Sequence, residues 1–149
     1  MKIYIVIPAH NEEDCIGLML NSLVNQTVLP EKVVVVNDNS TDKTDEIING
    51  FSAQNKWIQS IKIKSSSQHI PGSKVINAFY KGLETLDDAY DVVCKFDADI
   101  ILPENYLESI ISLFKSNSKV GIAGGLAYIE KNNQWVYETI ASKNHVRGP

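Results

Sequence analysis

Asp97 and Asp99 stand two positions apart at the end of the apolar run Val92–Phe96, ahead of Ile100-Ile101-Leu102-Pro103. Residues two apart on a strand share a face, so both carboxylates can project together, about 6.5 Å apart by strand rise. Two anions converging there repel unless a cation or hydroxyl groups lie between them. Oxygen-only ligands suit a hard divalent ion, Mg2+ or Mn2+, which keeps waters and bridges substrate phosphates. A DxD pattern is common by chance, and its position after a buried strand is what gives it weight.

Three more loops carry polar chemistry. After Ile3–Ile7 comes Pro8-Ala9-His10-Asn11-Glu12-Glu13. It is neither GxGxxG nor GxxxxGK[ST], so NAD and P-loop nucleotide chemistry fit poorly. Its simplest reading is a turn with Asn11 as helix N-cap and acidic residues meeting the helix dipole. After Val33–Val36 comes Asn37-Asp38-Asn39-Ser40-Thr41-Asp42. Ser40 or Thr41 can cap the next helix, but capping does not require Asp38. Its carboxylate can accept from an imide N–H or a hydroxyl, as uracil, guanine or ribose would offer. In His69-Ile70-Pro71-Gly72-Ser73-Lys74, Gly72 allows close backbone approach. Lys74 either sets a point charge beside a diphosphate or is a solvated first-turn lysine. His69 has no second histidine nearby and reads as a loop residue rather than a metal ligand.

The elements that position these loops follow from hydrophobic pattern. Ile3–Ile7 and Val33–Val36 are continuous and β-branched, as strands buried on both faces tend to be. Ile58–Ile63 alternates, and Val92–Phe96 is the fourth run. Ile16, Met19, Leu20, Leu23 and Val24 form one apolar helical face. A second helix is expected from near Thr41-Asp42 to Gly50, a third over Val75, Phe79, Leu83 and Leu86. A fourth begins at Pro103 and carries Leu107, Ile110, Ile111 and Phe114 inward. The order βαβαβαβα implies an α/β fold, a mostly parallel sheet flanked by helices. Ligands in such sheets bind beyond the carboxyl ends of the strands, where the loops above lie. Val120–Leu126 reads as a glycine-punctuated strand or strand pair, and Asn132-Asn133 as a turn before a strand at Trp135–Tyr137.

The 149 residues suit one domain. With 14 Lys+Arg against 18 Asp+Glu, the net charge of −4 argues against a nucleic-acid partner. The apolar start halts at Pro8, short of a signal h-region, and no run is long enough to span a membrane. Cys15 and Cys94 lie far apart and read as buried free thiols, which suits a reducing, cytoplasmic setting.

Taken together, Ile7-Pro8-Ala9-His10-Asn11-Glu12-Glu13, Val36-Asn37-Asp38-Asn39-Ser40-Thr41-Asp42, and Asp97-Ala98-Asp99 followed by Pro103-Glu104-Asn105-Tyr106-Leu107 resemble the inverting GT-A glycosyltransferases of the family 2 type, over roughly residues 2–130. The resemblance implies a Rossmann-like nucleotide-diphospho-sugar transferase (GT-A) fold. Here it would be the N-terminal, donor-binding portion as a single domain over 1–149, with the acceptor half missing. It implies a UDP- or GDP-sugar donor, a bound Mg2+ or Mn2+, and a saccharide or lipid-linked saccharide acceptor of the cell envelope. Peripheral membrane association would come through the missing part. By that likeness Pro8, Ala9 and Glu12 line the nucleoside pocket, Asp38 holds the base and Lys74 lies near base or phosphates. Asp97 contacts ribose or sugar, with Ala98 beside it, and Asp99 ligates the metal.

Some positions depart from the family pattern. His10 stands where tyrosine is frequent, Asn37 replaces a frequent aspartate, and Tyr80 occupies a position where asparagine is frequent. Inverting transfer also needs a general base for the acceptor hydroxyl. The resemblance puts that carboxylate after the glycine-rich strand, and it is expected beyond Pro149. Glu138, in Trp135-Val136-Tyr137-Glu138, reads as a strand residue, and His145–Pro149 resembles the approach to the acceptor region. The alternatives are a catalytically incomplete nucleotide-sugar-binding module and a sugar nucleotidyltransferase. The latter would want a basic, glycine-rich loop where Pro8–Glu13 stands.

Overall fold

The computed structural model describes residues 1–65 and 73–138. They fall in two compact units, one up to Leu107 and one from Glu108 onward. The first unit is built on four parallel strands, β1 (Ile3–Ala9), β2 (Lys32–Asp38), β3 (Ile58–Ile63) and β4 (Val92–Lys95), in the order β3-β2-β1-β4. Helix α1 (Ile16–Val24) links β1 to β2, α2 (Thr44–Gln54) links β2 to β3, and α3 (Ser73–Leu83) follows β3 and precedes β4. The chain thus steps outward from β1 to β3, then returns past β1 to lay down β4. The direction of winding reverses between β1 and β4, the switch point at which open α/β sheets leave a crevice for ligands.

Every residue of β1 is buried, and Val33–Val36 of β2 are wholly so, as expected for strands covered on both faces. The pleat sends Val6, Val34 and Val36 to one face, where they pack with Ala78 of α3 and, around it, Ile61, Ile63, Phe79 and Leu86. Gly82 brings that helix down onto the sheet. A Cβ there would sit 2.4 Å from Val6 Cγ1 and 2.8 Å from Val36 Cγ2. Elsewhere Gly17 of α1 lies close to α2, an added Cβ being 3.6 Å from Ile47 Cγ2.

Several boundaries differ from the sequence expectation. α2 runs on to Gln54, because Gly50 meets no steric or capping demand and an added Cβ there would find open space. α3 closes at Leu83, and Leu86 follows in a turn. Pro103 does not open the last helix, α4 (Tyr106–Ser116). Its carbonyl instead accepts the Tyr106 N–H at 3.0 Å in the turn before it. β4 stops at Lys95, so Asp97 and Asp99 lie past the strand rather than on it. Cys15 and Cys94 are free but only half-buried.

In the second unit Val120–Leu126 forms no strand. Gly121, Gly124 and Gly125 give little side chain to pack, and an added Cβ on Gly121 would touch nothing within 4 Å. The expected turn at Asn132-Asn133 is present, both residues having positive φ (51° and 59°). It joins β5 (Tyr128–Lys131) to antiparallel β6 (Gln134–Tyr137), the pairing that positive φ at two consecutive turn residues favours. Among the described residues no helix is long and apolar enough to cross a membrane.

Candidate functional site

A cavity of about 410 Å³ opens at the carboxyl ends of the strands. Pro8, Ala9, Glu12, Asp38, Lys74, Asp97, Ala98 and Asp99 all line it. The residues singled out by type and spacing or by the family resemblance therefore meet in one place. His10, Asn39, Ser65, Val75 and Ala78 complete the wall. Sequence reasoning passed over these, although His10 and Asn39 lie inside the motifs it used. Ser65 and Ala78 carry no local signal. His69 and Gly72 lie outside the described residues, as does His145–Pro149.

Loop geometry corrects the capping assignments. Asn11 is not an N-cap; α1 starts at Ile16 behind Cys15, with no acidic residue in its first turn. Asn11 takes positive φ (55°), and its side-chain carbonyl accepts the Thr41 N–H at 2.8 Å. In return, Ser40 Oγ accepts the Asn11 N–H at 3.0 Å. The exchange continues along both loops. Thr44 Oγ1 accepts from Glu12 N–H at 2.7 Å, Asp42 from Glu13 N–H at 3.1 Å, and Glu13 Oε2 from Lys43 N–H at 2.9 Å. Ser40 and Thr41 thus do not cap α2; Asp42 accepts the Thr44 N–H there, at 3.0 Å. Short polar side chains that would serve as local caps instead stitch the β1–α1 and β2–α2 loops together, because the parallel pairing of β1 with β2 brings the two turns side by side.

That stitch sets the walls of the cavity. Asp38 is 8% exposed, and its Oδ1 accepts the Ser65 N–H at 2.8 Å. Its carbonyl oxygen lies 2.6 Å from His10 Nδ1. A carbonyl can only accept, so Nδ1 carries the proton and Nε2 is the nitrogen left to act as acceptor in the neutral ring. Across the crevice Phe96, Ala98 and Leu102 are buried while Asp97 and Asp99 between them are exposed. Both carboxylates line the cavity although the chain turns at residues 98–99. Lys95 Nζ pairs with Asp97 Oδ1 at 2.6 Å.

Burial pushes the Glu12 carboxyl above its ordinary range. Asp99, Asp42 and Asp97 add to that rise, and only His10 opposes it. Like charge and burial together thus outweigh the one opposing neighbour at Glu12. Among the described residues no group of three or more His, Cys, Asp or Glu could by itself hold a metal ion. A closed protein cage is therefore not what the residues offer. They offer one or two carboxylate oxygens in an open crevice, the donor set that suits a hard divalent cation completing its shell with phosphate and water.

The family described as Glycosyl transferase family 2 matches residues 4–147. The "probable glycosyltransferase" YdaM of Bacillus subtilis is 34% identical over 100 residues, covering 66% of this chain and 23% of that protein. A Haemophilus influenzae glycosyltransferase is 29% identical over 126 residues, 85% of this chain and 36% of that one. The chain spans about a quarter to a third of the length of these relatives. Among solved structures, S. aureus TarS in complex with UDP superposes with a TM-score of 0.64 at 25% identity, covering 78% of this chain and 32% of that one. The mannosyltransferase PcManGT of Pyrobaculum calidifontis, solved with GDP-Man and Mn2+, shares the fold at 20% identity, with a TM-score of 0.59 over 76% of this chain and 32% of that one. These matches cover the parallel sheet with its flanking helices, a GT-A-type arrangement. The chain belongs to glycosyl transferase family 2.

Proposed function

We propose that this chain is the donor-binding portion of a metal-assisted glycosyltransferase that moves a sugar from a UDP- or GDP-sugar to an acceptor hydroxyl with inversion. The observation that carries the reading is the convergence of the four loops on one cavity. TarS has been solved with UDP and with UDP-GlcNAc, which supports a nucleotide-sugar in the corresponding crevice.

In this reading the carboxylate of Asp38 accepts from the base, between the backbone of Pro8-Ala9 and the side chain of Glu12. Lys74 brings positive charge to the phosphate side. Asp97, held by Lys95, orients ribose or sugar beside Ala98, while Asp99 is the ligand for Mg2+ or Mn2+. A cation bound there would neutralise charge on the departing diphosphate. During transfer the acceptor oxygen bonds to the anomeric carbon as the bond to the diphosphate oxygen breaks. The acceptor's proton goes to a general base that is not among these residues. The acceptor in this reading is a saccharide or lipid-linked saccharide of the cell envelope, with peripheral membrane contact on that side. Free thiols at Cys15 and Cys94 are in keeping with a cytoplasmic setting.

Mn2+ with UDP or GDP should raise the melting temperature. At a ligand concentration 100 times Kd the stabilisation is about 2.7 kcal/mol, several degrees for a chain of this size. Asp99→Ala should remove most of that gain. Equal stabilisation of both proteins would sink the metal assignment, and no response to either nucleotide would sink the donor reading. Transfer to a supplied acceptor separates an active enzyme from a binding module.

A further inference from the structure

Downstream of Asp99 the chain must be held without the help of a strand, and the holding groups come from the far end of α1. Gln26 is 6% exposed and Ser22 is 8% exposed. The Gln26 amide donates from Nε2 to the Pro103 carbonyl at 2.7 Å and to the Ser22 carbonyl at 3.0 Å. Its Oε1 accepts the Leu107 N–H at 2.9 Å. Both amide hydrogens are thus used, and the acceptor is taken as well. Ser22 Oγ accepts the Leu102 N–H at 3.2 Å while its hydroxyl donates to the Met19 carbonyl at 2.7 Å. The Thr27 N–H adds a bond to the Glu104 carbonyl at 2.8 Å.

A buried glutamine that reaches 77 and 81 positions along the chain is costly unless fully bonded, and here it is. Its long-range bonds fall on Pro103 and Leu107, and Ser22 and Thr27 add bonds to Leu102 and Glu104. Upstream, the segment is fixed by Phe96 N–H to the Val6 carbonyl at 3.2 Å. The two carboxylates sit between these anchors. An apolar residue of similar size would leave the Leu107 N–H and the Pro103 carbonyl without these partners, so the glutamine holds the return segment rather than merely filling space.

We infer that Gln26, assisted by Ser22, is a positioning residue for Asp99. It fixes the return segment Leu102–Leu107 and thereby the direction in which the carboxylate faces the phosphate side of the cavity. This inference rests on the donor-site reading above.

A double-mutant cycle tests it, with titrations of the full chain against UDP and GDP in the presence of Mn2+, the tighter nucleotide being carried forward. Gln26→Met should weaken binding about tenfold, or about 1.4 kcal/mol. In the Asp99→Ala background the same substitution should change affinity by less than about twofold, because the group it acts through is gone. Ser22→Ala, which removes only the Leu102 bond, should give a smaller loss with the same dependence on Asp99. It also serves if Gln26→Met does not fold. A merely structural role predicts the same loss in both backgrounds, or a lower melting temperature with affinity unchanged; either overturns the inference. If the wild-type chain binds neither nucleotide, the donor-site reading falls and takes this inference with it. Wild-type binding without coupling to Asp99 sinks the inference alone.

Discussion

At the amino-terminal edge of the sheet, Asp87 accepts from the Tyr4 hydroxyl at 2.7 Å and from Lys32 Nζ at 3.0 Å, with Lys32 lying 4.9 Å over the Tyr4 ring. At the carboxyl edge, Glu12, Asp97 and Asp99 gather around a cavity with Lys95 committed to only one of them. The titrations diverge accordingly. The Tyr4 hydroxyl, then Lys32 and the Ala89 N–H, hold Asp87 down at about 2, whereas burial and neighbouring carboxylates push Glu12 up. Among the described residues one edge is closed by internal counter-charges, while at the other only Asp97 is ion-paired. A carboxylate cluster only partly paired among the described residues, at a switch point, is where a cationic or hydroxyl-bearing ligand gains most, while a completed cluster contributes to stability.

Gly82 joins the two edges, lying against Val6 and Val36 between them. Gly82→Ala should erase the contrast by damaging both. A methyl 2.4 Å from Val6 Cγ1 forces the helix off the sheet, at a cost of about 1–3 kcal/mol and occasionally more. Thermal melts should show the fall, and nucleotide affinity should fall with it. An unchanged melting temperature would mean that the helix shifts freely.

Asp87→Asn should separate the edges. Removing the charge leaves Lys32 without this partner and should lower the melting temperature modestly, by about 1–3 °C, with nucleotide affinity unchanged. The pH dependence gives the sign. Asp87 lies at about 2 against an ordinary 3.8, so its contribution is complete above about pH 4 and is lost as pH falls from there through 2. Tyr4 is raised to about 12 from 10.0, first by its bond to Asp87, so its contribution holds below pH 10 and is lost as pH rises through 12. Denaturation midpoints across pH should show both arms in the wild type and flattened arms in Asp87→Asn. Identical profiles would remove the cluster from the stability account.

Much of the candidate site could be read from the sequence because strand-end loops in a βα repeat have a fixed destination. Once Ile3–Ile7, Val33–Val36 and Val92–Phe96 are strands, Glu12, Asp38 and Asp99 must emerge at the same edge. What escaped were side chains whose partners are distant in sequence. Asn11 and Ser40 look like helix caps locally, and only the β1–β2 register reveals that they bind each other's loops. Gln26 reads as a polar residue near a helix end, since nothing nearby announces Pro103 or Leu107. The Val120–Leu126 expectation failed for the converse reason. Apolar pattern marks a strand only where a neighbour exists to pair with it, and the hairpin of β5 and β6 forms instead from the asparagine turn.

The smallest expected effect probes the unfinished edge directly. Glu12 is raised above its ordinary 4.5, first by burial and then by Asp99. The folded state therefore holds that proton more tightly than the unfolded chain does, and the ionised side chain costs stability at neutral pH. The cost diminishes as pH falls through the raised value toward 4.5. Glu12→Gln, which keeps the shape and removes the charge, should raise the melting temperature at pH 7 slightly, on the order of 1 °C. The gain over wild type should vanish by about pH 4, where both side chains are neutral. Nucleotide affinity with Mn2+ should move the other way and weaken, since the charge that costs stability is the charge a ligand would use. Melts at several pH values beside one titration suffice. A variant that is less stable at pH 7, or one that binds more tightly, would show that Glu12 belongs to the stitching between loops rather than to the cavity.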